Sequence, residues 1–341
     1  MEDLEVTELD GGAYDEQPHL MEEEEDAGAN EEDLRFIENQ KELVALQRMD
    51  DKCTQLQREG KYTEALECME KGLVLRQHFF GADSEEVWSS CKTVGEMCNL
   101  LAMTYLQQED FPVVLELLKK AEILTEKNPT GRAVTLNNFA CYYRRQGNLH
   151  KALTYLTEAL KIEARLENIP NKADTHLNMC AVLSQLGKHQ NALQHAQSAL
   201  IFLHEELQLG PMSNQKTHQI DASKLDRVAV LGIAYHNVGV EQEFLKCWDL
   251  SLQSYKKGVE ITSRYLGETH GIVITLQNSL LTAKRTMAGR ARSDGPTGDG
   301  ISKKPTRLAQ LKASLQSSFS SKKHTTKLPR IKNQSRVASD G

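Results

Sequence analysis

Several things are scarce in this chain of 341 residues, and each scarcity excludes something. Proline occurs eight times, and the interiors of its helical patterns are almost free of it. Strict polar/apolar alternation over four or more residues is also rare, so sheet architectures are disfavoured. The longest purely apolar stretch near the core, Val228 to Ala234, is far too short for a membrane span. No apolar leader precedes the acidic N-terminus, so a signal peptide is not expected. Seven cysteines are present (Cys53, Cys68, Cys91, Cys98, Cys141, Cys180 and Cys247), an odd number without a CxxC pair. That pattern suits reduced thiols packed as small hydrophobes in a cytoplasmic protein. A glycine-rich phosphate loop, an HExxH helix and paired metal-ligand cysteines are all missing, so the expectation is a non-enzymatic protein with no cofactor and no metal site.

Charge is present but segregated. Residues 1–33 hold fifteen Asp and Glu and no Lys or Arg. Residues 284–341 hold fourteen Lys and Arg against three Asp, a net of +11, while the whole chain is −7. The composition predicts three parts: an acidic disordered head over 1–33, a helical array over 34–284 and a basic, Ser/Lys-rich disordered tail over 285–341.

Within the middle part a pattern recurs. Gly147-Asn148-Leu149-His150-Lys151-Ala152-Leu153 returns forty residues later as Gly187-Lys188-His189-Gln190-Asn191-Ala192-Leu193. Gly60 with Ala65, Leu66 and Gly72 is a third copy, and Phe111 with Val114, Leu118 and Ala121 a fourth, with Glu109 at the glycine's place. Trp248, Ser251, Tyr255 and Gly258 form a divergent fifth. Ahead of each stands a helix with a small residue at a fixed position: Cys53, Ala102, Ala140, Cys180 and Gly239. Small side chains let helix axes approach, and glycine suits a tight turn. One pair cannot bury its apolar face alone, so the pairs must stack.

This register resembles the tetratricopeptide repeat family over roughly residues 49–260. The copies exceed the usual 34 residues. Two connections look alike, Arg76 to Ser84 and Arg264 to His270. With Leu136-Asn137-Asn138-Phe139-Ala140, they resemble the long repeats of kinesin light chains and related adaptors. The resemblance implies an all-α, right-handed superhelical solenoid of antiparallel helix pairs. About five repeats would be followed by a terminal helix near 271–284 that is a sixth first helix or a cap, with disordered termini.

The resemblance also implies a scaffold or adaptor that holds partner peptides or helices on its concave side. Asn138, Asn178 and Asn237 share one position of successive first helices, and Asn99 is one residue off. With Asn137, these amides could hold an extended backbone; the alternative is that they bond between neighbouring helices. Arg144 and Arg145 either add positive charge to the groove or are solvated. A chaperone-tail clamp of Lys and Arg cannot be assembled, since its places hold Asp50, Thr54, Val134, Asn137, Asp174 and Asn178. His176 and His195 lie on repeat helices, and His189 replaces an aromatic of the repeat, which favours structural roles.

Lys303, Lys304, Lys322, Lys323, Lys327, Arg330 and Lys332 stand among Ser and Thr. They suit a polyanion such as the acidic surface of a microtubule, or merely solvate the tail. With Phe319 alone as an aromatic there, stacking on single-stranded nucleic acid is disfavoured. A cytoskeletal or ciliary setting follows as an expectation. The competing one is self-inhibition, in which the charged head or tail occupies the array.

Overall fold

The computed structural model describes residues 31–166, 172–208 and 224–293. Among them are eleven helices and no strand. The chain divides into two compact units, residues 1–47 and 48–341. Of the first unit, the described part is the opening stretch of helix α1 (Glu31–Arg58). The second unit completes α1 and continues with α2 (Tyr62–Phe80), α3 (Glu85–Gln107), α4 (Phe111–Leu124), α5 (Pro129–Arg145) and α6 (Leu149–Glu163). It ends with α7 (Lys172–Gln185), α8 (His189–Leu207), α9 (Leu225–Phe244), α10 (Trp248–Leu266) and α11 (Gly271–Ser293). The head before residue 31 and the tail after 293 lie outside the described residues.

The five turns inside the pairs are built alike. In each, a backbone N–H just past the helix reaches the carbonyl five residues back: Lys61 to Leu56, Asp110 to Tyr105, Asn148 to Tyr143, Lys188 to Leu183 and Cys247 to Gln242. This closure needs a left-handed residue immediately before the donor. Gly60, Gly147 and Gly187 take that place with φ between 73° and 78°, and Glu109 and Lys246 adopt it at 62° and 63° without being glycine. Asp110 and Asn148 then cap α4 and α6 by accepting from the N–H groups of Val113 and Lys151. The connections ending at Gly81 and Gly267 share φ near 80° and an extended ψ, matching their resemblance in sequence.

Packing follows the repeat. Each first helix lies against its own second helix and against the second helix of the preceding pair, α3 on α2 and α4, α5 on α4 and α6, and so on to α11 on α10. First helices also touch one another in succession, α3 on α5, α5 on α7, α7 on α9 and α9 on α11. The small residues sit where expected: Cys53, Ala102, Ala140 and Cys180 are buried, and a Cβ on Gly239 would stand 2.4 Å from the Tyr255 ring. Leu118, Leu156 and Leu203 are fully covered, each side chain gaining about 1.5–3 kcal/mol from burial. Three apolar clusters follow one another along the array, over α1–α5, α5–α9 and α7–α11. Five cysteines (Cys53, Cys68, Cys98, Cys141 and Cys180) are buried free thiols, and burial pushes Cys98 up to about 12. Cys91 is half-buried and Cys247 exposed.

Pro129 stands in the first turn of α5, where a residue needs no N–H donor. The array was expected to end at residue 284, but helix α11 continues through Gly289 to Ser293.

Candidate partner-binding site

The first helices α3, α5, α7 and α9 touch in succession, and polar residues on them are largely committed to one another. Asn138 on α5 donates to the side-chain oxygen of Asn99 on α3 at 2.9 Å, and Asn99 donates to the Thr135 hydroxyl at 2.9 Å. Asn178 on α7 donates to the Asn137 oxygen on α5 at 3.0 Å. Asn99, Asn138 and Asn178 are buried, and Asn237 is wholly buried, its side-chain amide without a hydrogen-bond partner among the described residues. Asn99, Asn137, Asn138 and Asn178 thus bond first helix to first helix, and Asn237 does not. Arg145 reaches Glu109 at 3.7 Å, and burial pulls the Arg144 guanidinium below its ordinary range. The basic residues from Lys303 to Lys332 lie outside the described residues.

Further along, the seams carry ionisable groups. Arg227 on α9 binds Asp174 on α7 and Glu206 on α8. His189 meets the buried Glu241 carboxylate at 2.8 Å and stacks on Phe244 at 4.0 Å. Burial raises the Glu241 pKa, opposed by its bonds to Ser184 and His189. His176 and His195 share a hydrogen bond of 3.0 Å, and burial lowers both pKa values, that of His176 to about 4. His189 thus makes the interhelical contacts of the aromatic it replaces and adds a polar one. Among the described residues no group of three or more His, Cys, Asp or Glu is placed to hold a metal ion.

Accessibility divides the first helices. On α7 every residue from Leu177 to Ser184 is buried, and on α9 every residue from Ala234 to Glu243. Those stretches offer nothing to a ligand. On α3, by contrast, Ser89, Thr93, Glu96, Leu100 and Gln107 are exposed. There a groove of about 510 Å³ opens between α1 and α3. Asp50, Thr54 and Gln57 line it from α1, Glu85, Glu86, Ser89, Ser90 and Thr93 from α3, and Arg76 from α2, over buried Cys53, Met69 and Val94. Arg76 pairs with Asp50. Sequence reasoning used Asp50 and Thr54 only to exclude a chaperone clamp and did not find the α3 side. The signal was present as a polar line on α3, with Ser89, Thr93 and Glu96 at helical spacing.

The tetratricopeptide repeat family model matches residues 93–165, which cover α3 from Thr93 through α6. Over those residues the chain carries tetratricopeptide repeats. Structures similar to it include BtubC (BKLC) from P. vanneervenii, at 18% identity over 74% of this chain and 97% of that one, TM-score 0.48. Nearly identical tetratricopeptide-like repeats from P. anserina, described as of kinesin light chain type, share 16% identity over 66% of this chain and 95% of theirs, TM-score 0.42. The TPR2AB domain of yeast Sti1 in complex with pHSP90 shares 12% identity over 70% and 85%, TM-score 0.32. No curated protein sequence matches the chain.

Proposed function

We propose that this chain is a non-enzymatic scaffold that holds partner peptides or helices in the groove between α1 and α3. The supporting observation is the contrast among first helices: α7 and α9 are closed over their C-terminal halves, while α1 and α3 leave a polar groove with a buried apolar floor. An extended chain laid there would meet hydroxyl and carboxylate groups able to bond its backbone N–H groups, with room for side chains between them. The test is capture of partners by proximity labelling. Ser89→Arg with Thr93→Arg should lose a set of neighbours that the outer-face change Lys161→Ala retains. Identical neighbour lists for the two variants would refute the groove.

The setting we propose is a cytoskeletal or ciliary assembly, on the charge of the tail. Full-length protein should pellet with microtubules at low salt and lose this when its tail lysines and arginines are neutralised; no pelleting by either form would reject that setting. Among the described residues no helix is long and apolar enough to cross a membrane.

A further inference from the structure

We infer that the groove between α1 and α3 is the docking site of the chain's own basic segment Lys322–Lys332, which excludes partners until it is displaced. The inference rests on the groove being the binding site. Three carboxylates line it, from Asp50, Glu85 and Glu86, against one cation, Arg76. Arg76 is taken up by Asp50. Glu85 and Glu86 are exposed in the first turn of α3, and neither meets a cation among the described residues. The hydroxyls of Thr54, Ser89, Ser90 and Thr93 complete a lining that accepts and donates hydrogen bonds but repels no cation. Such a surface favours Lys and Arg side chains over acidic ones.

The tail supplies that chemistry in the same molecule. No Asp or Glu stands between Asp299 and Asp340, and Lys322, Lys323, Lys327, Arg330 and Lys332 fall within eleven residues. Reach selects this cluster over the earlier one. From α11 back to α3 there are four first-helix steps, roughly 32–40 Å at about 8–10 Å per packed helix. Ten residues separate Ser293 from Lys303 and extend to about 35 Å at most, so Lys303 would reach the groove only with the chain pulled taut. Twenty-nine separate Ser293 from Lys322, about 100 Å when extended. A tethered segment of that length faces the groove at an effective concentration near millimolar, so a weak electrostatic contact suffices to occupy it. The contact would weaken as salt rises, because its charges lie at the surface.

The test is a charge swap in the full-length chain, read by amide hydrogen exchange over residues 50–57 and 85–94. Exchange there should be about tenfold slower in the native chain than in one with Lys322, Lys323, Lys327, Arg330 and Lys332 all changed to Glu. Glu85→Lys with Glu86→Lys should remove the same protection, and combining both sets should restore it. Exchange unaffected by the tail changes, or no rescue in the combined chain, overturns the docking. Protection that disappears when the acidic residues of 1–30 are neutralised shows that the tail pairs with the head, and also overturns it. Partner capture by the tail-changed chain separates the two readings. Capture that persists and is lost with Ser89→Arg and Thr93→Arg upholds the groove even where tail docking fails.

Discussion

At the scale of single residues, two departures from the repeat pattern carry measurable consequences. Glu109 and Lys246 hold the left-handed turn position that glycine fills in three other pairs. A side chain there costs on the order of 1 kcal/mol. The ion pair of Glu109 with Arg145 is long and largely exposed, and offsets little of this. Glu109→Gly and Lys246→Gly should each stabilise the array by about 0.5–1 kcal/mol, seen as a higher urea midpoint with an unchanged slope. His236 is the second case. It is buried, bonded through Nε2 to Ser279 at 3.1 Å, and burial lowers its pKa to about 4. The folded chain therefore keeps it neutral where the unfolded chain protonates it. Stability should fall as pH drops from about 6.5 towards 4, because the unfolded state then binds the extra proton. The raised pKa of buried Glu163 and Glu241 works the other way over part of that range. The diagnostic is a difference: His236→Gln should flatten the acid-side slope of stability against pH, and an identical slope would contradict this assignment.

At the scale of helices, what matters is how closely axes approach. Gly239 at the α9–α10 crossing has the Tyr255 ring where a Cβ would stand. Gly239→Ala must push that ring or spread the helices, at a cost of about 1–3 kcal/mol or more. The loss should show in thermal unfolding and be partly relieved by Tyr255→Leu. The position itself was legible in sequence, because a small residue recurs there in every copy. So were the turn glycines and the two kindred connections at Gly81 and Gly267, since each depends on residues a few positions apart. The asparagines were equally visible, but their partners were not. Asn138 finds Asn99 and Asn178 finds Asn137 only after successive pairs stack. The bond from His189 to Glu241 spans fifty-two residues and leaves no local trace.

At the scale of the array, each pair is held by its neighbours, so stability should vary along the stack. Helix α7 lies inside it, buried throughout from Leu177 to Ser184 and packed by α5, α6, α8 and α9, whereas α11 is packed by α9 and α10 and exposes Ile274 and Leu281. Amide exchange should therefore be slowest in α7 and faster by orders of magnitude in α11, where opening breaks contacts on one side. Equal protection of the two would mean that the array unfolds as a single unit.

The sequence by itself determined an all-helical array, the places of its turns and crossings, and the opposite charges of its ends. These follow from periodicity, from small residues where axes meet, and from composition. The tertiary structure decided which faces of the first helices remain open. The groove exists because α1 and α3 leave solvent between them, while α7 and α9 are closed over their C-terminal halves. It also decided that Asn138 bonds to Asn99 and Asn178 to Asn137, because hydrogen-bond partners some forty residues apart are chosen by packing and not by spacing along the chain.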